Sequence, residues 1–171
     1  GGIEAGSTSP VPELLTEVTI LNEGTITGGI SLSTGNDLIN NSGELIGPTA
    51  MGAGNDTFEN SGRIQGSVDL GAGDDVFALS GESDLSGDTF IDGGIGNDTL
   101  TLTGSGQLDA TLIANFEVGV IDGTAWTIDG SANISAVEVM NGLLQLNDGL
   151  FTNNLLVNAG AQLIASDITG S

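Results

Sequence analysis

The segments Ile20 to Asp37, Ile39 to Asp56 and Phe58 to Asp75 repeat one pattern at a spacing of 19 residues, without a gap. Each opens on a large apolar residue and closes on Gly-Asn-Asp or Gly-Asp-Asp. A fourth copy runs from Phe77 to Asp98 with four residues inserted. A short period with glycine-rich, acidic corners belongs to a solenoid, whose coils bury their apolar face only against neighbouring coils. Functional residues in such a chain form stacked rows rather than one pocket.

The coil from Phe58 to Asp75 carries the local signal. Phe58, Asn60, Gly62, Ile64, Gly66, Val68 and Leu70 are apolar, small or amide, while Glu59, Ser61, Arg63, Gln65, Ser67 and Asp69 between them are polar. Alternation with period two predicts strands with one buried face. Gly62 and Gly66 permit bends, and Gly71 to Asp75 form a tight polar corner. One coil is therefore two or three short strands, stacked in parallel on the next coil. The expected fold is all-β, a right-handed parallel β-helix with about 19 residues per coil in the N-terminal half.

The columns agree with that fold. Ile20, Ile39, Phe58 and Phe77 align, as do Ile26, Leu45 and Ile64, and Leu32, Met51 and Leu70. Asn22, Asn41 and Asn60 align with Leu79. Their inward parity favours an interior amide ladder along the axis over the alternative of simple turn formation.

Beyond Asp98 the period loosens. Thr99 to Gly104 restarts a coil, and strands follow around Ile113, Phe116, Val118, Val120, Trp126, Ile128, Ile134, Val137, Val139, Leu144, Leu146, Leu150, Leu155, Val157, Leu163 and Ile168. About eight coils at ~4.8 Å each make a rod of roughly 40 Å. Residues 1–17 read as an irregular lead-in or cap, with a turn of helix at Glu13 to Thr16 shielding the open end. Residues 18–171 read as one β-helix domain, with regular coils over 18–104 and less regular ones over 105–171.

The chain has one arginine, no lysine or histidine, 23 acidic residues and a net charge of −22. That balance excludes binding to nucleic acid or to an anionic membrane surface, both of which require a basic face. The absence of cysteine excludes disulfides and thiolate metal sites. No apolar run is long enough to span a bilayer, so no membrane insertion of this chain is expected. The regular apolar spacing argues against disorder despite the charge. The acidic, Gly/Asn/Thr-rich composition suits an extracellular or surface-exposed bacterial protein.

Asn115-Phe116-Glu117-Val118, followed by Gly123-Thr124-Ala125-Trp126-Thr127-Ile128-Asp129-Gly130, resembles the N-F-E…G-G-T-W-T-L-T-G pattern of bacterial autotransporter passenger domains. Gly142-Leu143-Leu144-Gln145-Leu146 with Leu155 to Leu163 is similar to their G-x-L-x-L…L-x-V-x-x-G-A-x-L coils. The match departs at Ala125, where glycine is usual, and at Ala165-Ser166-Asp167, where Gly-x-Gly is usual. The resemblance covers most of the chain from about Val18 and implies export by type V secretion to the cell surface. It further implies a stalk or adhesin that contacts a host or neighbouring-cell surface or glycan, in a protein that continues to a C-terminal membrane β-barrel.

The corners resemble a second family. Gly93 to Thr101 fits the nonapeptide G-G-x-G-x-D-x-U-x of calcium-binding repeats-in-toxin modules, and Gly52 to Phe58 and Gly71 to Phe77 fit it in part. Calcium takes six to eight oxygens from carboxylates and carbonyls, which a glycine-rich acidic corner offers. Stacking brings like charges within a strand spacing, and a divalent ion relieves the repulsion. The candidate calcium ligands are Asp37, Asp56, Asp75, Gly94, Gly96 and Asp98. Against this, one loop per coil makes at most a one-sided ladder, and Asn and Asp form tight turns without metal.

A catalytic role is not expected. Without histidine there is no Ser-His-Asp triad. Carboxylate pairs such as Asp69/Glu59 or Asp84/Asp88 have only closeness in sequence behind them, although two carboxylates suffice for glycoside hydrolysis. Trp126 reads as core or rim, and Arg63 as a partner of neighbouring acids. The expected function is a non-catalytic structural or adhesive stalk. The alternatives are a secreted module that folds on calcium and, more weakly, a carbohydrate-active β-helix.

Overall fold

The computed structural model describes residues 17–131, 133–147 and 154–165, without the side chain of Asp88. The expected lead-in up to residue 16, its helical turn, and the strand positions Leu150 and Ile168 lie outside the described residues.

The architecture is the parallel β-helix that the repeat predicts. In the first sheet Thr19–Asn22, Leu38–Asn41, Thr57–Asn60, Val76–Ser80, Thr99–Asp109, Val118–Asp129, Ala136–Leu146 and Asn154–Val157 stack in chain order, every pair parallel. Gln162–Ala165 lies on the second half of Ala136–Leu146. In the second sheet Thr25–Thr27, Glu44–Ile46, Arg63–Asp69, Asp84–Asp92 and Ile113–Ala114 stack likewise. The corners close a third side through bridges that join Thr34, Ala53, Ala72 and Ile95. Among the described residues, eight rungs in the first sheet make about seven turns, against about eight coils expected for the whole chain.

The interior follows the predicted columns. Ile39, Phe58, Phe77 and Leu100 are buried one above the other, with the two phenylalanine rings stacked at 5.2 Å. Where the column reaches Gly119, Ile134 fills the space, its Cδ1 lying 3.5 Å from the position a Cβ would take. The asparagines form the interior ladder: Asn22 Nδ2 donates to Asn41 Oδ1 and Asn41 Nδ2 to Asn60 Oδ1, both at 2.7 Å. Spare amide protons donate to the carbonyls of Glu44, Arg63 and Gly62, so the buried amides are satisfied until Leu79 ends the row.

The four inserted residues leave the stack intact. Asn60 pairs with Leu79 at the regular step of the repeat, whereas Arg63 pairs with Asp84, Gln65 with Gly87 and Ser67 with Phe90, at steps of 21, 22 and 23. Two residues enter the turn after Ser80, and two bulges within Asp84–Asp92 take one each. Past Asp98 the step varies by a residue either way: Thr99 pairs with Val118, Val118 with Ala136 and Ala136 with Asn154 at steps of 19, 18 and 18, while Asp109 pairs with Asp129 at 20. Strand length changes as well. The short strands merge into continuous ones of 11 or 12 residues, kinked where the register shifts beside Gly104 and around Asp122.

Trp126 is in the core, its Nε1 donating to the Thr103 carbonyl at 3.2 Å. Gly106 makes the room, since a Cβ there would lie 2.9 Å from the indole. Arg63 pairs with Glu44 at 2.6 Å and with Asp84 at 3.4 Å.

Candidate functional site

The Gly-x-Gly-Asn-Asp corner is dictated by how closely the coils approach there. Gly54, Gly73 and Gly96 have φ of 136°, 146° and 157°. A Cβ on them would lie 1.9, 1.9 and 1.6 Å from the carbonyl oxygen of the stacked glycine below. The preceding glycines Gly52, Gly71 and Gly94, with φ near 100°, are crowded in the same way. Gly94 and Gly96, expected as calcium ligands, thus have a steric reason to be glycine that needs no ion. Several corner carbonyls are engaged: Ser33, Gly52 and Gly71 accept from the backbone N–H of Ala53, Ala72 and Ile95.

The aspartates that end the corners are interior residues. Asp37, Asp56, Asp75 and Asp98 are at most 2 % exposed, although a polar corner suggests side chains splayed into solvent. Each uses Oδ1 to accept the backbone N–H one coil below. Val18 donates to Asp37, Asp37 to Asp56 and Asp56 to Asp75 at 2.7 Å, and Asp75 to Asp98 at 2.9 Å. Glu117 extends the row, its Oε2 accepting from the Asp98 N–H at 2.8 Å. The other oxygen, Oδ2, is buried on all four aspartates without a hydrogen-bond partner among protein atoms. An unpaired buried carboxylate oxygen is costly, so this column is the least satisfied part of the described fold.

Electrostatics follow from the stacking. Burial raises the Asp56 carboxyl above its ordinary range, opposed by the N–H of Asp37 and reinforced by the Asp37 charge. Asp75 is pushed up to about 6, first by burial, then by the charges of Asp56, Asp98 and Asp74. Asp98 is raised by burial and by Glu117, Asp74 and Asp92. The sole cation, Arg63, is held by Glu44 and Asp84.

A second ladder runs beside the first in the opposite sense. Asn36 Oδ1 accepts from the Asn55 N–H, Asn55 Oδ1 from Asp74, and Asp74 Oδ1 from Asn97, at 2.8 to 3.1 Å. Both residues of each Asn-Asp or Asp-Asp pair therefore join coils, one exposed and one buried. The sequence marks the pair but not its two directions. Glu117 was missed as a column member because its corner has lost the glycines, yet it lies 19 residues after Asp98.

Among the described residues no three acidic side chains converge as a metal cage. The donor chemistry still suits a hard cation: each junction stacks two carboxylates, and each aspartate offers a buried oxygen with no partner.

The other carboxylates behave differently. Asp84, Asp109 and Asp129 border one open groove on the outer face. Hydrogen bonds from Ser86, from Thr111, and from Gln107 and Asn147 respectively hold them below the ordinary carboxylate range. Glu59 accepts from Asn40 Nδ2 at 2.6 Å on the first sheet, while Asp69 ends a strand of the second. The pairing of Asp84 with Asp88 lies outside the described side chains. No protein-family model matches the chain, and comparison with curated proteins and with solved structures gives no match.

Proposed function

We propose that this β-helix is a structural, non-catalytic stalk of an extracellular or surface-exposed bacterial protein, resembling an autotransporter passenger. The observation that carries this reading is where the recurring polar residues go. The interior asparagines, the buried aspartates and the exposed corner residues all bond one coil to the next along the axis. Side chains committed to holding rungs together make a rod. The outer groove adds support, because general acid catalysis on a glycoside needs a carboxyl with a raised pKa, whereas its three acids are held low. Adhesion to a host or neighbouring-cell glycan, and a following membrane barrel, belong to the same proposal through the resemblance. Protease treatment of intact producing cells is the test: the chain should be cleaved from outside. Full protection until the cells are lysed contradicts the proposal, as does polysaccharide hydrolysis lost in Asp84→Asn or Asp129→Asn.

A second reading has its own support. The buried Oδ2 atoms of Asp37, Asp56, Asp75 and Asp98 suit calcium, which would join adjacent coils and couple folding to the higher calcium outside a cell. Melting curves that coincide in calcium and in chelator would sink it.

A further inference from the structure

The Gly-Asn-Asp pattern stops at Asp98, but the carboxylate column does not. Glu117 belongs to Asn115-Phe116-Glu117-Val118, a corner with no Gly-x-Gly, where Asn115 adopts φ 55° in place of a glycine. Its Oε2 nevertheless receives the Asp98 N–H at 2.8 Å, as each aspartate Oδ1 receives the N–H of the coil below it. The step from Asp98 to Glu117 is the same 19 residues that separate Asp37, Asp56 and Asp75.

We propose that Glu117 is the fifth member of the column, and that Asp98 and Glu117 together bind a divalent cation of the calcium class at the junction above the last Gly-Asn-Asp corner. Three observations support this site, which rests on the calcium reading given above. Asp98 is fully buried, and its Oδ2 has no hydrogen-bond partner among protein atoms. Negative charge concentrates around it from Asp74, Asp92 and Glu117, with no cation among these neighbours. Glu117 is only partly buried and one methylene longer than the aspartates. That length suits the two-oxygen grip that glutamate often gives calcium. Two carboxylates do not fill the shell, and calcium completes it with carbonyl and water oxygens.

Calcium binding by equilibrium dialysis, on the whole chain and on Glu117→Gln, tests the site. The glutamine Oε1 still accepts the Asp98 N–H, so the variant should keep its far-ultraviolet spectrum and its melting point in chelator. It should bind one calcium fewer, or bind that ion about tenfold more weakly or worse. Wild-type binding left unchanged in Glu117→Gln overturns the site and leaves the calcium reading standing. Absence of binding by the wild type overturns both. If the variant misfolds, manganese added to the wild type decides the matter through its paramagnetic broadening. Loss of the Asp98, Glu117 and Val118 amide signals supports the site, and broadening confined to other residues overturns it.

Discussion

At the scale of single residues, the corner glycines and aspartates are required for different reasons. Gly73 has φ 146° and no space for a Cβ, which would lie 1.9 Å from the Gly54 carbonyl oxygen. The backbone conformation alone costs a non-glycine residue about 1–3 kcal/mol. The overlap adds about 1–3 kcal/mol more. Gly73→Ala should therefore lower the urea midpoint sharply. Gly24→Ala, where nothing lies within 4 Å and φ is unexceptional, should stay within about 0.5 kcal/mol of wild type. Equal effects of the two would mean that the coils do not approach as closely as described. The aspartates are required for their reach. Asp56, Phe58 and Asn60 lie at i, i+2 and i+4, as do Asp75, Phe77 and Leu79, so the alternation that marks the core already includes the acid. Extending the parity one step back into the corner would have revealed the burial. Chemical type argued the other way, because charged side chains are rarely interior without partners.

At the scale of strands and columns, the sequence was most legible where the repeat was gapless. Period, parity and the phenylalanine and asparagine rows all follow from it. Two features were hidden. The inserted residues look like a break, but a turn and two bulges absorb them, because parallel rungs tolerate local excess better than a lost register. The second half looks irregular because merged strands need fewer glycine turns, and because Gly119 takes an apolar position that Ile134 fills from outside its column. The asparagine ladder offers a test at this scale. Asn41→Ala takes the partner from one Asn22 amide proton, from the Asn60 Oδ1 and from the Arg63 carbonyl, at about 1–3 kcal/mol for each group left unsatisfied, while Asn22 Nδ2 keeps the Glu44 carbonyl. Replacing Asn22, Asn41 and Asn60 together by leucine continues the Leu79 column, removes both halves of each amide–amide bond and buries apolar groups in place of amides, while the carbonyls of Glu44, Arg63 and Gly62 and the Gly24 N–H lose their side-chain partners. That triple variant should melt closer to wild type than Asn41→Ala does. The reverse order in thermal melts would mean that the amides do more than satisfy one another.

At the scale of the molecule, the rod carries a net charge of −22 with a single arginine, and part of that charge is interior. Self-repulsion is screened by salt, so the melting temperature should rise as sodium chloride replaces a low-salt buffer. A flat response would imply that the charges are already neutralised by bound ions. Acidity should act in an unusual direction. Asp56, Asp75 and Asp98 have folded pKa values above their unfolded ones, so the folded state binds more protons in that interval. Their contribution is fully present below the unfolded pKa and is lost as pH rises through the folded value, about 6 for Asp75. In chelator the protein should therefore be more stable at pH 5 than at pH 7.5, and Asp75→Asn should flatten that slope. Asp109 and Asp129 have lowered values and act oppositely: their contribution is lost only as pH falls below the ordinary carboxylate range, outside this window. The central claim is that the corner aspartates form an interior column joining the coils. Carboxyl-carbon NMR titration of the wild-type chain in chelator tests it most directly. The predicted result is a midpoint near about 6 for Asp75, with Asp56 and Asp98 also above Asp109 and Asp129. Asp56, Asp75 and Asp98 titrating together with those outer-face acids would contradict it.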